Sequence, residues 1–93
     1  MITPKNILIH ELIGLKVRVL DACNKSLIGI EGKVIDETKN MLIIEVNMHL
    51  TKRVQKKGTR FMFELPDGTK VAVDGNKLSG RPYERIKSKI KKW

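Results

Sequence analysis

Between Leu15 and Val73 the apolar residues recur at every second position, in short runs separated by polar turns. In LKVRVL (15–20), Leu15, Val17 and Val19 share one side, and Lys16 and Arg18 the other. In LIGIEGKVIDE (27–37), Ile28, Ile30 and Val34 face inward, and Glu31 and Lys33 outward. MLIIEV (41–46) aligns Leu42, Ile44 and Val46. FMFEL (61–65) aligns Phe61, Phe63 and Leu65, and KVAV (70–73) returns with Val71 and Val73. A period of two is the mark of a half-buried strand. ETKN (37–40) is turn-like and PDGT (66–69) is a strong hairpin turn. A sixth strand is expected within 50–57. Each strand has one apolar face, so the sheet has to curl around a single core, and closure removes exposed edges. The expected class is mainly β, a small six-stranded antiparallel barrel over residues 15–75. Gly32 falls on the inner face, which predicts a bend or a close backbone approach.

The two ends change period. Thr3 can cap a helix and Pro4 suits its first position, with Ile7, Leu8 and Leu12 at near-helical spacing and Gly14 as a stop. This predicts a helix over 4–12. Near the other end, Tyr83, Ile86, Ile90 and Trp93 fall at steps of three, four and three, and cations cover most of the remaining positions. The pattern predicts a basic amphipathic helix over 81–93, capped by Ser79 or Gly80. With 93 residues in all, the chain reads as one domain.

Charge sharpens this picture. The net charge is +9. Residues 52–60 contain Lys52, Arg53, Lys56, Lys57 and Arg60 with no acid. Residues 81–93 contain Arg81, Arg85, Lys87, Lys89, Lys91 and Lys92 against Glu84 alone. These segments account for the whole excess, and the remainder is close to neutral. Solubility does not require such clustering. A polyanion partner does, because fixed cations displace counterions from phosphate backbones. The bland alternative is a solvated charged face. No apolar run approaches the roughly 20 residues of a membrane span. No basic-then-apolar leader opens the chain, so a cytoplasmic protein without membrane contact is expected.

Candidate chemistry is thin. His10 and His49 belong to no metal-spaced pair, and Cys23, the single cysteine, is expected as a small, partly buried residue. Asp36 and Glu37 are adjacent, so strand alternation sends one inward and the other outward. Bonding to local backbone is a simpler role for them than metal binding. No Walker-type loop occurs, and no serine or cysteine has a base beside it. Phe61 and Phe63 are expected in the core. Trp93 reads as a helix anchor or as a base platform. With so few rings for stacking, shape and backbone recognition of a folded RNA is the expected mode.

Four segments occur in order at close spacing: ELIGLKVRVL (11–20), GIEGKVIDETKNML (29–42), RFMFELPDG (60–68) and VDGNKLSGRPYERI (73–86). Together they resemble the archaeal ribonuclease P protein subunit with an Sm-like (SH3-like) barrel, the counterpart of a eukaryotic ribonuclease P/MRP subunit. The most specific parts are Gly32, Val34, Asp36 or Glu37, Thr38 and Asn40 in one element, and Arg81, Pro82 and Arg85 in another. The resemblance implies six strands with helical termini. It also implies a noncatalytic, RNA-binding subunit of the enzyme that removes the 5′ leader of precursor tRNA, bound to the specificity domain of the catalytic RNA. The implied partners are that RNA, a zinc-ribbon protein subunit, the other ribonuclease P proteins and, indirectly, precursor tRNA. No cofactor is expected on this chain, and Mg²⁺ would be used by the RNA.

The candidate RNA-binding residues are Arg18, Lys33, Lys52, Arg53, Lys56, Lys57, Arg60, Arg81, Arg85, Lys87, Lys89 and Lys92. For Arg81 and Arg85 phosphate contact and structural anchoring stand equally open. The candidate partner-facing residues are Ile7, Leu8, Leu12, Tyr83, Ile86, Ile90 and Trp93. Other classes compatible with the same charge and fold are a barrel-type ribosomal or other structured-RNA-binding protein, a DNA-coating chromatin protein and a protein-only nuclease. The closing segment generates a direct test. Its narrow apolar stripe needs a cover, since thirteen residues, six of them cationic, make a marginal helix alone. Ile90→Asp is expected to weaken protein-partner binding with the strands intact, and Lys89→Glu with Lys92→Glu to weaken RNA binding only. Amide exchange equally slow through 87–92 in the free and bound protein would show instead that the helix docks on its own barrel.

Overall fold

The computed structural model describes Ile7 and residues 12–78. Apart from Ile7 and Leu12, the residues of the helices expected over 4–12 and 81–93 lie outside the described residues, among them Leu8, Arg81, Tyr83, Arg85, Ile86, Lys87, Lys89, Ile90, Lys92 and Trp93.

Six strands form: β1 (Lys16–Asp21), β2 (Glu31–Glu37), β3 (Met41–Asn47), β4 (Leu50–Gln55), β5 (Arg60–Glu64) and β6 (Lys70–Asp74). All neighbouring pairs are antiparallel, in the spatial order β4-β3-β2-β1-β5-β6. The inner faces pool into one core containing Val17, Val19, Val34, Leu42, Ile44, Val54, Phe61, Phe63, Leu65 and Val73. Phe61 and Phe63 are fully buried, with ring centroids 5.9 Å apart. Mainly β, six-stranded and antiparallel is therefore the class, with one core inside a curled sheet. The two outer strands converge at one end. There Gly75, just after β6, lies against the carbonyl of Lys56, just after β4.

The expected alternation fails in two places, each for a local reason. Residues 27–30 do not start β2. Lys25–Leu27 form a 3-10 turn capped by Asn24, whose Oδ1 accepts from Ser26 N–H at 3.1 Å. Ile28 is consequently exposed, not inward, and Leu27 and Ile30 pack half-buried on the core. In β2 a bulge between Val34 and Asp36 makes Ile35 and Asp36 both point outward and brings Glu37 inside. Strict counting from Val34 gives the opposite assignment; the extra residue of a bulge inverts everything after it. Cys23 is exposed, not partly buried.

Ile7 and Leu12 were candidates for a partner's surface, yet both are buried in this chain's own core. The PDGT turn forms as expected. Leu65 N–H donates to Thr69 O and Gly68 N–H to Leu65 O, with Gly68 at φ +90°. The backbone N–H of Thr69 also donates to Asp67, holding its carboxyl below the usual carboxylate range.

Two glycines are required by close packing. A Cβ on Gly32 would run into the carbonyl of Glu45 on β3, and one on Gly75 into the carbonyls of Lys56 and Thr59. Backbone atoms cannot rotate away as a side chain would. Gly75→Ala should therefore cost about 1–3 kcal/mol, as overpacking does, read as a lower urea midpoint. An unchanged midpoint would show that the two outer strands are not held against each other at that point.

Candidate nucleic-acid interface

Most exposed cations among the described residues fall into two environments. The first is the outer face of the sheet. Register places Glu45 (β3), Lys33 (β2), Lys16 (β1), Glu64 (β5) and Lys70 (β6) in a single row across five strands. Lys16 Nζ lies 3.6 Å from Glu64, and in the next row Arg18 Nε lies 3.7 Å from Glu31. All these side chains line one shallow groove floored by Val17, Gly32, Val46 and Met62. Exposed pairs of this kind add little stability. They do neutralise the face. Arg18 and Lys33, named from the sequence as extensions of an RNA surface, each have a carboxylate directly across the ladder. The sequence shows them only as outward-facing cations, because the compensating acids sit on other strands.

The second environment is the end of the sheet where the β2–β3, β4–β5 and post-β6 segments meet. Lys52, Arg53 and Lys57 are exposed there or along the adjoining β4 edge. Lys39 in the β2–β3 turn and Lys77 after β6 are exposed too. Neither Lys39 nor Lys77 stands out in the sequence, since each is a single lysine in a short polar stretch. Topology adds them to the basic segment 52–60. Arg60 is intermediate between the two settings. It is exposed, but opposite Asp21 on one side and Asp74 on the other.

Lys56 departs from the sequence expectation. The basic run 52–60 predicts RNA contact for it, but its side chain is only 2% exposed. Its Nζ lies 2.6 Å from Glu37 Oε2, whose side chain is fully buried, and donates to Thr38 O at 2.8 Å and Lys39 O at 3.3 Å. Its backbone N–H donates to Asn40 O at 2.8 Å. The reason lies in the pleat. Val54 points inward, so Lys56, two residues on, does as well, and the β2 bulge delivers Glu37 to the same side. A buried ammonium needs this many acceptors to offset its lost hydration. Lys56 is thus a tie between two turns and no surface cation. Among the described residues no group of three His, Cys, Asp or Glu comes together, and none of the described helical segments is long and apolar enough to cross a membrane.

Fold and charge pattern together define a small basic β protein with a neutralised sheet face and a cationic end. Comparison with known proteins narrows this. The family described as Ribonuclease P/MRP, subunit p29 matches residues 5–88. Ribonuclease P protein component 1 of Methanocaldococcus jannaschii is 56% identical over 91 residues, covering 98% of this chain and 95% of its own. Its counterpart in Methanothermobacter thermautotrophicus is 47% identical over 92 residues, covering 99% of both. A solved structure described as Mth11, a homologue of human RNase P protein Rpp29, aligns with TM-score 0.61 at 44% identity, over 83% of this chain and 99% of that one. The chain belongs to the ribonuclease P/MRP subunit p29 family. It is a protein component of ribonuclease P, an endoribonuclease of tRNA processing.

The buried pair generates a stability test with a clear sign. Lys56→Met removes the cation 2.6 Å from the buried Glu37 carboxylate, which costs about 3–5 kcal/mol. Adding Glu37→Leu should recover a large part of that loss, since an apolar pair of similar volume is tolerated where a broken ion pair is not. Urea unfolding of the two variants decides it. A surface cation at 56 would instead leave stability within about 0.5 kcal/mol of wild type.

Proposed function

We propose that this chain is a noncatalytic subunit that binds and stabilises the RNA of ribonuclease P. The observation that carries the reading is charge segregation on a member of this family. Acids offset the cations of the sheet face strand by strand, whereas Lys39, Lys52, Arg53 and Lys57 at the sheet end and β4 edge have no ion pair among the described residues. An unbalanced cationic cluster is what a phosphate backbone rewards through counterion release. The RNA-facing set is accordingly Lys39, Lys52, Arg53 and Lys57, with Arg60 at its border and the closing basic segment 81–93 beside it in function. Arg18 and Lys33 belong to the neutralised face.

In this reading the RNA carries catalysis with Mg²⁺ of its own, and the protein binds no cofactor. Contact with the specificity domain of that RNA and pairing with a zinc-ribbon protein subunit complete the proposal, as does action in the cytoplasm. The stripe of Tyr83, Ile86, Ile90 and Trp93 supplies the apolar contact for the protein partner. Cationic side chains reduce the phosphate repulsion that the metal ion otherwise screens, so the subunit lowers the Mg²⁺ needed for precursor tRNA cleavage.

Two measurements test this. A reconstitution of RNA and proteins lacking this chain should need more Mg²⁺ for the same cleavage rate; an unchanged requirement counts against the role. Separately, Lys52→Ala, Arg53→Ala and Lys57→Ala should each lower the magnitude of the log–log salt slope of RNA binding by up to about one. Lys33→Ala should leave the slope unaltered. Equal effects at Lys33 and Lys57 would remove the distinction between the two environments.

A further inference from the structure

Three chain reversals meet at the cationic end: Thr38–Asn40, Lys56–Thr59 and the 3-10 turn Gly75–Leu78. Between them lies a cleft of about 790 Å³ lined by Lys39, Asn40, Met41, Gln55, Lys57 and Asn76, with Lys56 and Gly75 completing its wall. That volume is in the range of small-ligand sites, roughly 300–1,000 Å³. Its chemistry is selective. The lining offers two exposed cations, three carboxamides and one half-buried thioether, and no carboxylate. Glu37, joined to Lys56 at the same end, is fully buried in their ion pair.

The walls are held by bonds independent of any ligand. Lys56 ties the β2–β3 turn through Thr38 O, Lys39 O and Asn40 O. Gly58 N–H donates to Asn76 Oδ1 at 3.1 Å, and Asn76 N–H donates to Asp74 Oδ1 at 2.9 Å. The Asn76 carboxamide is thereby oriented through its oxygen, leaving Nδ2 as a donor. Such fixing reduces the ordering cost of binding.

A carboxamide presents a donor and an acceptor side by side, which matches the edge of a nucleobase. A thioether packs well against an aromatic ring. Ammonium groups suit phosphate oxygens. We infer that this cleft takes one unpaired nucleotide of an RNA: the base lies against Met41 within reach of Asn40, Gln55 and Asn76, and its phosphates lie on Lys39 and Lys57. In a helix the Watson–Crick edge of a base is occupied by pairing and its faces by stacking, so the site selects single-stranded loops or bulges. The inference rests on the RNA-binding role proposed above and adds a base-specific element to a surface otherwise read as following backbone.

The test uses the full chain and two probes, the ribonucleoside 5′-monophosphates and inorganic phosphate. Side-chain amide signals of Asn40, Gln55 and Asn76, and backbone amides of residues 39–41 and 56–58, are followed by NMR during titration. At least one monophosphate should shift them saturably, with phosphate alone acting more weakly and leaving the carboxamide signals in place. Asn40→Ala should weaken that monophosphate about fivefold, leave the urea midpoint unchanged, and lower RNA affinity without changing the salt slope. Identical shifts from phosphate and nucleotide would reduce the cleft to a phosphate patch and overturn the inference, as would shifts confined to other surfaces. If the monophosphates fail while RNA still binds with its salt slope intact, the nucleotide site falls and the RNA-binding role stands. If the monophosphates bind but ribonuclease P RNA does not, the RNA-binding role falls, and with it RNA as the ligand of the cleft.

Discussion

The arrangement of the cationic end depends on one buried ion pair. Lys56 and Glu37 sit at the inner edge of the curled sheet, where the core gives way to turns, and each makes the other tolerable. Without Glu37 the buried ammonium would lose this counter-charge; without Lys56 the carboxylate and the carbonyls of Thr38 and Lys39 would lose this donor. The pair therefore fixes the β2–β3 turn against the β4–β5 turn. A well-packed apolar pair could supply comparable stability. What the ionic version adds is geometry: a charged group with several directed hydrogen bonds sets the relative position of two turns that carry exposed lysines.

Segregation of charge follows from how strands are laid side by side. Lys16, Arg18, Lys33 and Lys70 look in the sequence like Lys39, Lys52 and Lys57. Only the ladder shows that the first set is interleaved with Glu31, Glu45 and Glu64. The β4 edge uses charge in another way. Lys52 is paired with Ile44 on the core-facing side of the sheet, yet it is exposed because β4 is the last strand. An inward-directed lysine on an edge strand opposes pairing with a second sheet. The same side chain thus serves solubility and presents charge to a polyanion.

Much of the fold was legible because alternation is local and each strand buries one face. Phe61, Phe63 and Leu65, or Leu42 and Ile44, need no tertiary information to be placed, and neither does the PDGT turn. Ile28 and Glu37 were not legible. A 3-10 turn in one case and a bulge in the other shift the count by a residue, and a period-two pattern carries no marker of such a shift. The site was legible in its charge and not in its members. The run 52–60 announces a basic surface, but whether a given lysine faces phosphate or core is decided by the parity of its position and by an acid on a distant strand. Lys56 and Lys57 are neighbours with opposite fates. Lys39 joins the site from another turn, and Ile7 and Leu12 are buried in this chain's own core.

Cys23 occupies an exposed position with its Sγ 3.8 Å from the carbonyl of Gly58, next to Lys57 in the β4–β5 turn. It is also the single thiol of the chain. The native sequence therefore carries one atom addressable by thiol chemistry, and that atom borders the cationic end. A fluorophore or spin label attached there needs no engineered cysteine and has no competing site. Distances measured from it would locate this end of the protein within a large ribonucleoprotein, where a chain of this size is otherwise hard to orient.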